Sequence, residues 1–189
     1  FHVQFALGRA AFEADDIDVA RAALERAAEL APMATGFESP RGLLARIAQA
    51  DGDHELAMRE LEMLLEYDET SIDAVRLYAS LAEETDDETR LGAAYERLIE
   101  IDPFDPIPHQ VLGRMALESG RSAVAIRELT IALALGPVDR VAALVDLAES
   151  LLSAGDLVEA KRQAMSALEI APSYLRAQDI LLTIIEAGP

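Results

Sequence analysis

The 189-residue chain has no cysteine, no tryptophan and no asparagine, and its single lysine, Lys161, stands beside fifteen arginines. Without cysteine there is no thiol nucleophile, no disulfide and no thiolate metal ligand. A cysteine-free chain is stable in either redox environment, so the compartment stays open. No apolar run approaches the roughly 20 residues that cross a bilayer, and no signal-peptide pattern is visible, so direct membrane insertion is not expected. Positive charge is scarce as well. The formal net charge is −19, and no run of basic residues offsets it. Such a surface repels phosphates and anionic lipid, so no nucleic-acid partner is expected. Aromatic residues make up only 5% of the chain, a composition that suits close helix packing more than sheets. The chain begins at Phe1 already in helical register, and a fragment of a longer protein is expected.

What is abundant is alanine, within a sequence that is half apolar and therefore able to build a core. It is also repetitive. SGRSAVAIRELTIALALGP at 119–137 is echoed by AGDLVEAKRQAMSALEIAP at 154–172. Aligning such units on their closing residue puts Pro32, Glu69, Pro103, Pro137 and Pro172 in one column, with Glu69 the exception. The spacing is about 34–37 residues, the length of a helical repeat. Numbering the closing residue 32, position 8 reads Gly8, Ala45, Ala79, Gly113 and Ala148. Position 20 reads Ala20, Ala57, Leu91, Ala125 and Ala160. Position 7 holds Leu7, Leu44, Tyr78, Leu112 and Leu147, and position 24 holds Leu24, Leu61, Tyr95, Leu129 and Ala164. The insertion Thr35-Gly36-Phe37 accounts for the one long step.

These columns resemble the tetratricopeptide repeat, a helix-turn-helix unit with small residues where its two helices touch. The tryptophan favoured at position 4 is missing throughout, replaced by Gln4, Arg41, Val75, His109 and Leu144. The resemblance implies an all-α fold: a right-handed superhelical solenoid of five such units plus a C-terminal capping helix. One domain over residues 1–189 is expected, with repeats near 1–34, 38–71, 72–105, 106–140 and 141–174 and a terminal helix at 175–187. Positions 4, 7, 8 and 11 share one helical face and positions 20, 24, 27 and 28 another. Asp18 and Thr89 are candidate N-caps of second helices, and the closing prolines redirect the chain.

Few residues suggest chemistry. ADGDHELA at 50–57 gathers Asp51, Asp53, His54 and Glu55, but it falls on a turn inside a pair, where acids cap and solvate a helix start. It also lacks the distal bidentate glutamate of a calcium loop. His2, His54 and His109 lie in three different repeats and form no zinc pair. No phosphate loop or nucleophile elbow is present. No metal, no cofactor and no catalysis are expected.

The resemblance further implies that first helices line a concave wall whose positions 2, 5, 9, 12 and 13 face a ligand. Carried onto this sequence, that places Phe5, Arg9, Phe12, Arg46, Arg76 and Arg114 at the wall. Arginine presents a planar fork suited to carboxylates. One reading is a basic ladder gripping an acidic segment or a C-terminal carboxylate of a protein or peptide partner. The other is that each arginine pairs with a nearby acid such as Glu13, Glu83, Glu84 or Glu118. Co-chaperones that hold chaperone tails use lysines and asparagines in a clamp, which this chain does not resemble. Phe1, Phe5 and Phe12 form a stripe that fits either packing against a further helix or an aromatic shelf for an apolar anchor.

The last helix has an apolar stripe wider than one packing surface needs, with Arg176, Asp179, Thr183 and Glu186 marking its outside. Its face at Ile180, Leu181, Ile184 and Ile185 is a candidate homo-oligomer contact. The expected function is a non-catalytic protein-interaction scaffold. The alternative is a structural module that oligomerises or docks an enzyme domain through that last helix.

Overall fold

The computed structural model describes residues 1–187, and among them it holds eleven α-helices and no strand. Helix α1 (His2–Glu13) pairs with α2 (Ile17–Leu30), α3 (Pro40–Ala50) with α4 (His54–Leu65), and α5 (Ile72–Glu84) with α6 (Glu88–Ile101). Next come α7 (Pro106–Glu118) with α8 (Ser122–Leu135) and α9 (Arg140–Ser153) with α10 (Leu157–Ile170), then α11 (Leu175–Ala187). These are the five pairs and the terminal helix of the repeat. They are laid out as two compact units: residues 1–101 hold three pairs, and the chain from Asp102 onward holds two pairs and α11.

Every pair turns on one device. Asp15, Gly52, Asp86, Gly120 and Gly155 occupy the same repeat position, and all have φ between 53° and 83°. That left-handed conformation ends the first helix, and glycine or an aspartate tolerates it where most side chains do not. The next residue opens the second helix. Asp53, Asp87 and Asp156 accept from the N–H groups of Leu56, Arg90 and Glu159 at 3.0, 3.0 and 3.1 Å. The cap therefore sits at repeat position 16, not on Asp18 or Thr89. Those two lie inside the first turns of α2 and α6. There Asp18 can only complement the positive end of the helix.

Close approach of the paired helices is set by position 8. Gly8, Ala45, Ala79, Gly113 and Ala148 are all buried. They oppose position 24 of the second helix: a Cβ on Gly8 would lie 2.7 Å from Leu24 Cγ, and one on Gly113 2.6 Å from Leu129 Cγ. The other three pairs keep a methyl at position 8, with Ala45, Ala79 and Ala148 matched to Leu61, Tyr95 and Ala164 at position 24. Ala20, Ala57, Ala125 and Ala160 are completely buried on the second helices, and Leu91 in that column is only partly so.

Neighbouring pairs within a unit are joined by position 7, which reaches back to the pair before it. Leu44 packs with Ala11, Ala20 and Leu24. Leu147 packs with Ala116, Ala125 and Leu129. Leu7, expected in the core stripe, is 50% exposed because no earlier pair stands behind it in this unit. At the other end α11 covers the last pair: Ala177 and Ile180 are buried against Leu144, Val145 and Ala148 of α9 and Ala164 and Ala167 of α10.

The position 8 contact predicts a reversal of sign. Gly113→Ala gains about 1 kcal/mol of helix propensity but forces overpacking that costs about 1–3 kcal/mol, so net destabilisation is expected. In a Leu129→Ala background the clash is gone, and the same change should stabilise by up to about 1 kcal/mol. Urea denaturation of the four proteins measures the coupling, and simple additivity would refute the contact.

Candidate functional site

In the first unit, α1 presents Phe5, Arg9 and Phe12 along one stripe, with Arg46 on α3 and Arg76 on α5. Phe5 stacks on Phe1 with ring centroids 5.5 Å apart, and Phe5 and Arg9 line a hollow of about 230 Å³ together with Glu38, Ser39 and Pro40. Phe12 and Arg46 line a second hollow of about 360 Å³ with Ile17, Ile47 and Asp51. Phe5 and Phe12 also pack onto the cluster that holds Leu43, Leu44 and Ile47.

Arg46 is the cation of this wall held between two aromatic rings. Its guanidinium lies 5.0 Å from the Phe12 ring centroid and 5.8 Å from that of Phe37, and its Nη1 donates to Glu38 at 2.9 Å. Two aromatic faces fix the plane of the guanidinium, and the donors that Glu38 leaves over remain available. Phe37 comes from the three-residue insertion, which sequence spacing showed only as an irregularity. The insertion sits tightly on α3, for a Cβ on Gly42 would lie 1.9 Å from the Phe37 carbonyl oxygen.

Arg9 and Arg114 are engaged more loosely. Arg9 lies 3.8 Å from Glu13, and both are well exposed. Arg114, in the second unit, lies 4.0 Å from Glu118. Exposed pairs of this kind contribute about 0.3–0.5 kcal/mol and exchange readily with solvent or ligand. Arg76 also has a partner. The acid for Arg46 is Glu38, a residue absent from the set named on sequence grounds. Glu84 instead lies 3.5 Å from His54.

In the second unit, Arg176 on α11 donates to Asp146 at 2.8 Å and to Glu149 at 2.6 Å. A residue read as marking the outside of the last helix therefore ties it to α9. Burial pushes the Asp146 carboxyl up, and Arg176 only partly offsets this. The face proposed for oligomerisation is divided. Ile180 is buried, Leu181 and Ile184 are partly buried in the same intrachain cluster, and Ile185 is 71% exposed. The exposed apolar residues of α11 are Leu175, Leu182 and Ile185.

Sequence reasoning missed a pairing behind the empty tryptophan column. Position 4 meets position 23, 19 residues on, across two of the pairs. Where position 4 is arginine or histidine, position 23 is glutamate: Arg41 donates to Glu60 at 2.9 Å, and His109 Nδ1 meets Glu128 Oε2 at 2.7 Å. Elsewhere the columns read Gln4 and Ala23, Val75 and Ala94, Leu144 and Gln163. A fixed 19-residue separation between a cation and a glutamate was the available signal. Burial raises both carboxyls, but the outcomes differ. Arg41 only partly offsets it at Glu60, whereas His109 and Arg127 together outweigh it and hold Glu128 below its ordinary value.

The acidic turn at 51–55 is dispersed among separate contacts. Asp51 pairs with Arg21, Asp53 caps α4, His54 meets Glu84, and Glu55 accepts from Arg90 at 2.9 Å. Among the described residues no three acids or histidines are grouped to hold a metal ion. No described helix is long and apolar enough to cross a membrane.

Helix pairs that stack through small residues and repeat about every 34 residues define a helical-repeat protein. A tetratricopeptide repeat profile matches residues 5–37 and 111–175, just over half of the sequence, and the chain belongs to that family. No curated protein matches it. Among solved structures it is similar to the MamA protein, at 20% identity over 89% of this chain and 90% of that one, with a TM-score of 0.63. It is similar also to YrrB, described as a TPR protein with an unusual peptide-binding site, at 13% identity over 93% and 89%, with a TM-score of 0.66. A tetratricopeptide repeat protein from Parabacteroides merdae ATCC 43184 aligns at 16% identity over 97% and 71%, with a TM-score of 0.62. Identities this low establish the fold.

The depressed Glu128 carboxyl sets a pH dependence. Its contribution to stability is complete above the unfolded value of about 4.3 and is lost as pH falls through the lower folded value. Wild type should exceed Glu128→Gln by about 1.5–3 kcal/mol at pH 7, and the gap should narrow on acidification below about pH 4.3. Urea titrations from neutral pH downward measure it. A gap independent of pH would show that the pair is not ionic.

Proposed function

We propose that this chain is a non-catalytic protein-interaction scaffold whose first-helix wall in the first unit holds a peptide with an acidic side chain or a C-terminal carboxylate. Family membership supports the scaffold reading. The observation that carries the finer one is Arg46, held between Phe12 and Phe37 beside a hollow of about 360 Å³. A pinned guanidinium loses little freedom when it grips a carboxylate, so more of the interaction appears as affinity. Phe12 and Ile17 offer the apolar lining on which a neighbouring side chain of the ligand rests. Phe5 and Arg9 offer the same combination at the smaller hollow. Arg76 adds a cation on α5 in the same unit, and Arg114 stands by itself on α7 of the second unit. YrrB is a family member described as binding peptide, and the same chemistry is assigned here on this chain's own residues.

The probe is a fluorescein-labelled peptide of eight residues, acidic and with one leucine, made with a free and with an amidated C-terminus. Arg46→Ala should weaken binding about tenfold, and Arg9→Ala with Arg46→Ala further, a loss of about 1.4 kcal/mol per tenfold step. Helicity and melting temperature should stay nearly unchanged. Equal affinity of wild type and the double variant for both peptides would dispose of this site.

A second reading is favoured by one observation, the exposure of Leu175, Leu182 and Ile185 along α11. Through that face the chain associates with another copy or docks an enzyme domain. Light scattering of wild type at high concentration should then report an oligomer that Ile185→Asp converts to monomer, since a buried unpaired charge is costly. A monomeric wild type excludes self-association.

A further inference from the structure

The second helices of the first unit carry a feature with the opposite chemistry. Two adjoining hollows of about 480 and 410 Å³ lie between α6 and the end of α4 with its following turn, sharing Glu69, Ala93 and Arg97. The floor of the hollow of about 410 Å³ is apolar: Leu65, Val75 and Ala94 are buried beneath it, and Ala93, shared with the more polar hollow of about 480 Å³, is exposed at its surface. The rim is acidic. Glu96 and Glu100 stand one turn apart on α6, and Glu66 and Glu69 face the hollows from the end of α4 and the turn.

None of these four carboxylates has a hydrogen bond or ion pair among the described residues. Arg97 crosses the cleft and offsets about one of these four charges, but its guanidinium donates to the main-chain carbonyls of Leu65 and Glu69 at 3.1 and 3.0 Å and pairs with none of the carboxylates, so the rim keeps an excess of acid. Glu62, a fifth acid of the lining, is already occupied by the Tyr78 hydroxyl at 2.7 Å. The first-helix wall differs, for Arg9 and Arg46 there each have an acid nearby. The chain also departs from its own repeat here: Glu69 stands in the closing-proline column and Leu91 in the alanine column.

Four unpaired carboxylates around a low-dielectric floor repel one another and concentrate negative potential in the cleft. Screening at physiological ionic strength acts over about 8 Å, so charges gathered on one rim still add. We propose that this cleft docks a basic amphipathic segment of a protein partner. Apolar side chains of that segment rest over Ala93 and Leu65 while lysines or arginines reach Glu66, Glu69, Glu96 and Glu100. A metal ion is not the occupant, because no three of these acids are grouped to ligate one. A simple polyamine would leave the apolar floor unused.

The test uses two labelled 16-residue peptides of equal lysine content, one with leucines along one helical face and one with glutamines in their place. In 150 mM salt the leucine peptide should bind wild type about tenfold more tightly than the glutamine peptide. Glu66→Gln, Glu69→Gln, Glu96→Gln and Glu100→Gln together should cost about tenfold or more. A control with the same change in net charge, combining Asp18→Asn, Glu169→Gln, Asp179→Asn and Glu186→Gln, should cost less than about twofold. Ala93→Arg should also abolish binding by filling the floor and supplying an internal cation, with the circular dichroism melt retained. Arg46→Ala should bind as wild type does, which separates this cleft from the first-helix wall. Equal losses in the two quadruple variants would reduce the effect to net charge and overturn the proposal. So would equal affinity for the two peptides, or an Ala93→Arg protein that binds unimpaired.

Discussion

The contact between repeat positions 8 and 24 limits everything else in these units. It sets how near the two helices of a pair come, and hence where the first helix places its outward side chains. At Gly8 and Gly113 the facing leucine leaves no room for a Cβ. In the other three pairs a methyl is kept, at Ala45 and Ala79 with Leu61 and Tyr95 in the facing column and at Ala148 with Ala164. Position 8 thus stays small in every pair, and it is reduced to glycine in the two where the facing leucine fills the space. A first-helix face built on such pairs inherits their rigidity: Arg9 is one residue past Gly8, and Arg46 one past Ala45. Both cations sit beside the best-packed part of their helix, which is where side chains are most precisely positioned.

Charge is distributed by helix type within the first unit. With so few cations in a chain of net charge −19, their placement matters more than their number. Arg9 and Arg46 stand on first helices, and Arg9 has only an exposed acid one turn away. Arg90 and Arg97 stand on α6 and are consumed by structure: Arg90 reaches Glu55 on α4, and Arg97 reaches two main-chain carbonyls. The excess of acid is left on the second helices. One unit therefore presents a mixed face, on which the Arg46 guanidinium is held between two rings, and a separate face that is acidic around a partly apolar hollow.

What could be read in advance follows from how the information is stored. The helix pairs, the small-residue columns and the terminal helix were legible because each is restated about every 34 residues, so five weak signals add. The N-caps were misplaced by two residues because several acids crowd each turn, and only the left-handed residue at position 15 selects among them. The exposure of Leu7 and the burial of Ile180 could not be read from their stripes, for one reason. A periodic stripe shows that a face is apolar, but whether it is covered depends on a neighbour that repeats elsewhere and is missing or present at an end. The pairs Arg41–Glu60 and His109–Glu128 were hidden because position 4 scanned alone looks degenerate, and only two columns read together show the compensation.

The insertion at 35–37 shows the limit of reading by register. Alignment treats three extra residues as noise to be removed before the columns agree, yet they bring Phe37 over Arg46 and Glu38 to its Nη1. A departure from a repeat cannot be needed for stacking, since the other pairs stack without it. The same reasoning applies to Glu69, which replaces a proline that four other units use and lines the acidic cleft. In a protein held together by repetition, conserving the period accounts for the fold. Positions that break the period while remaining well packed are therefore where selectivity for a partner has room to arise.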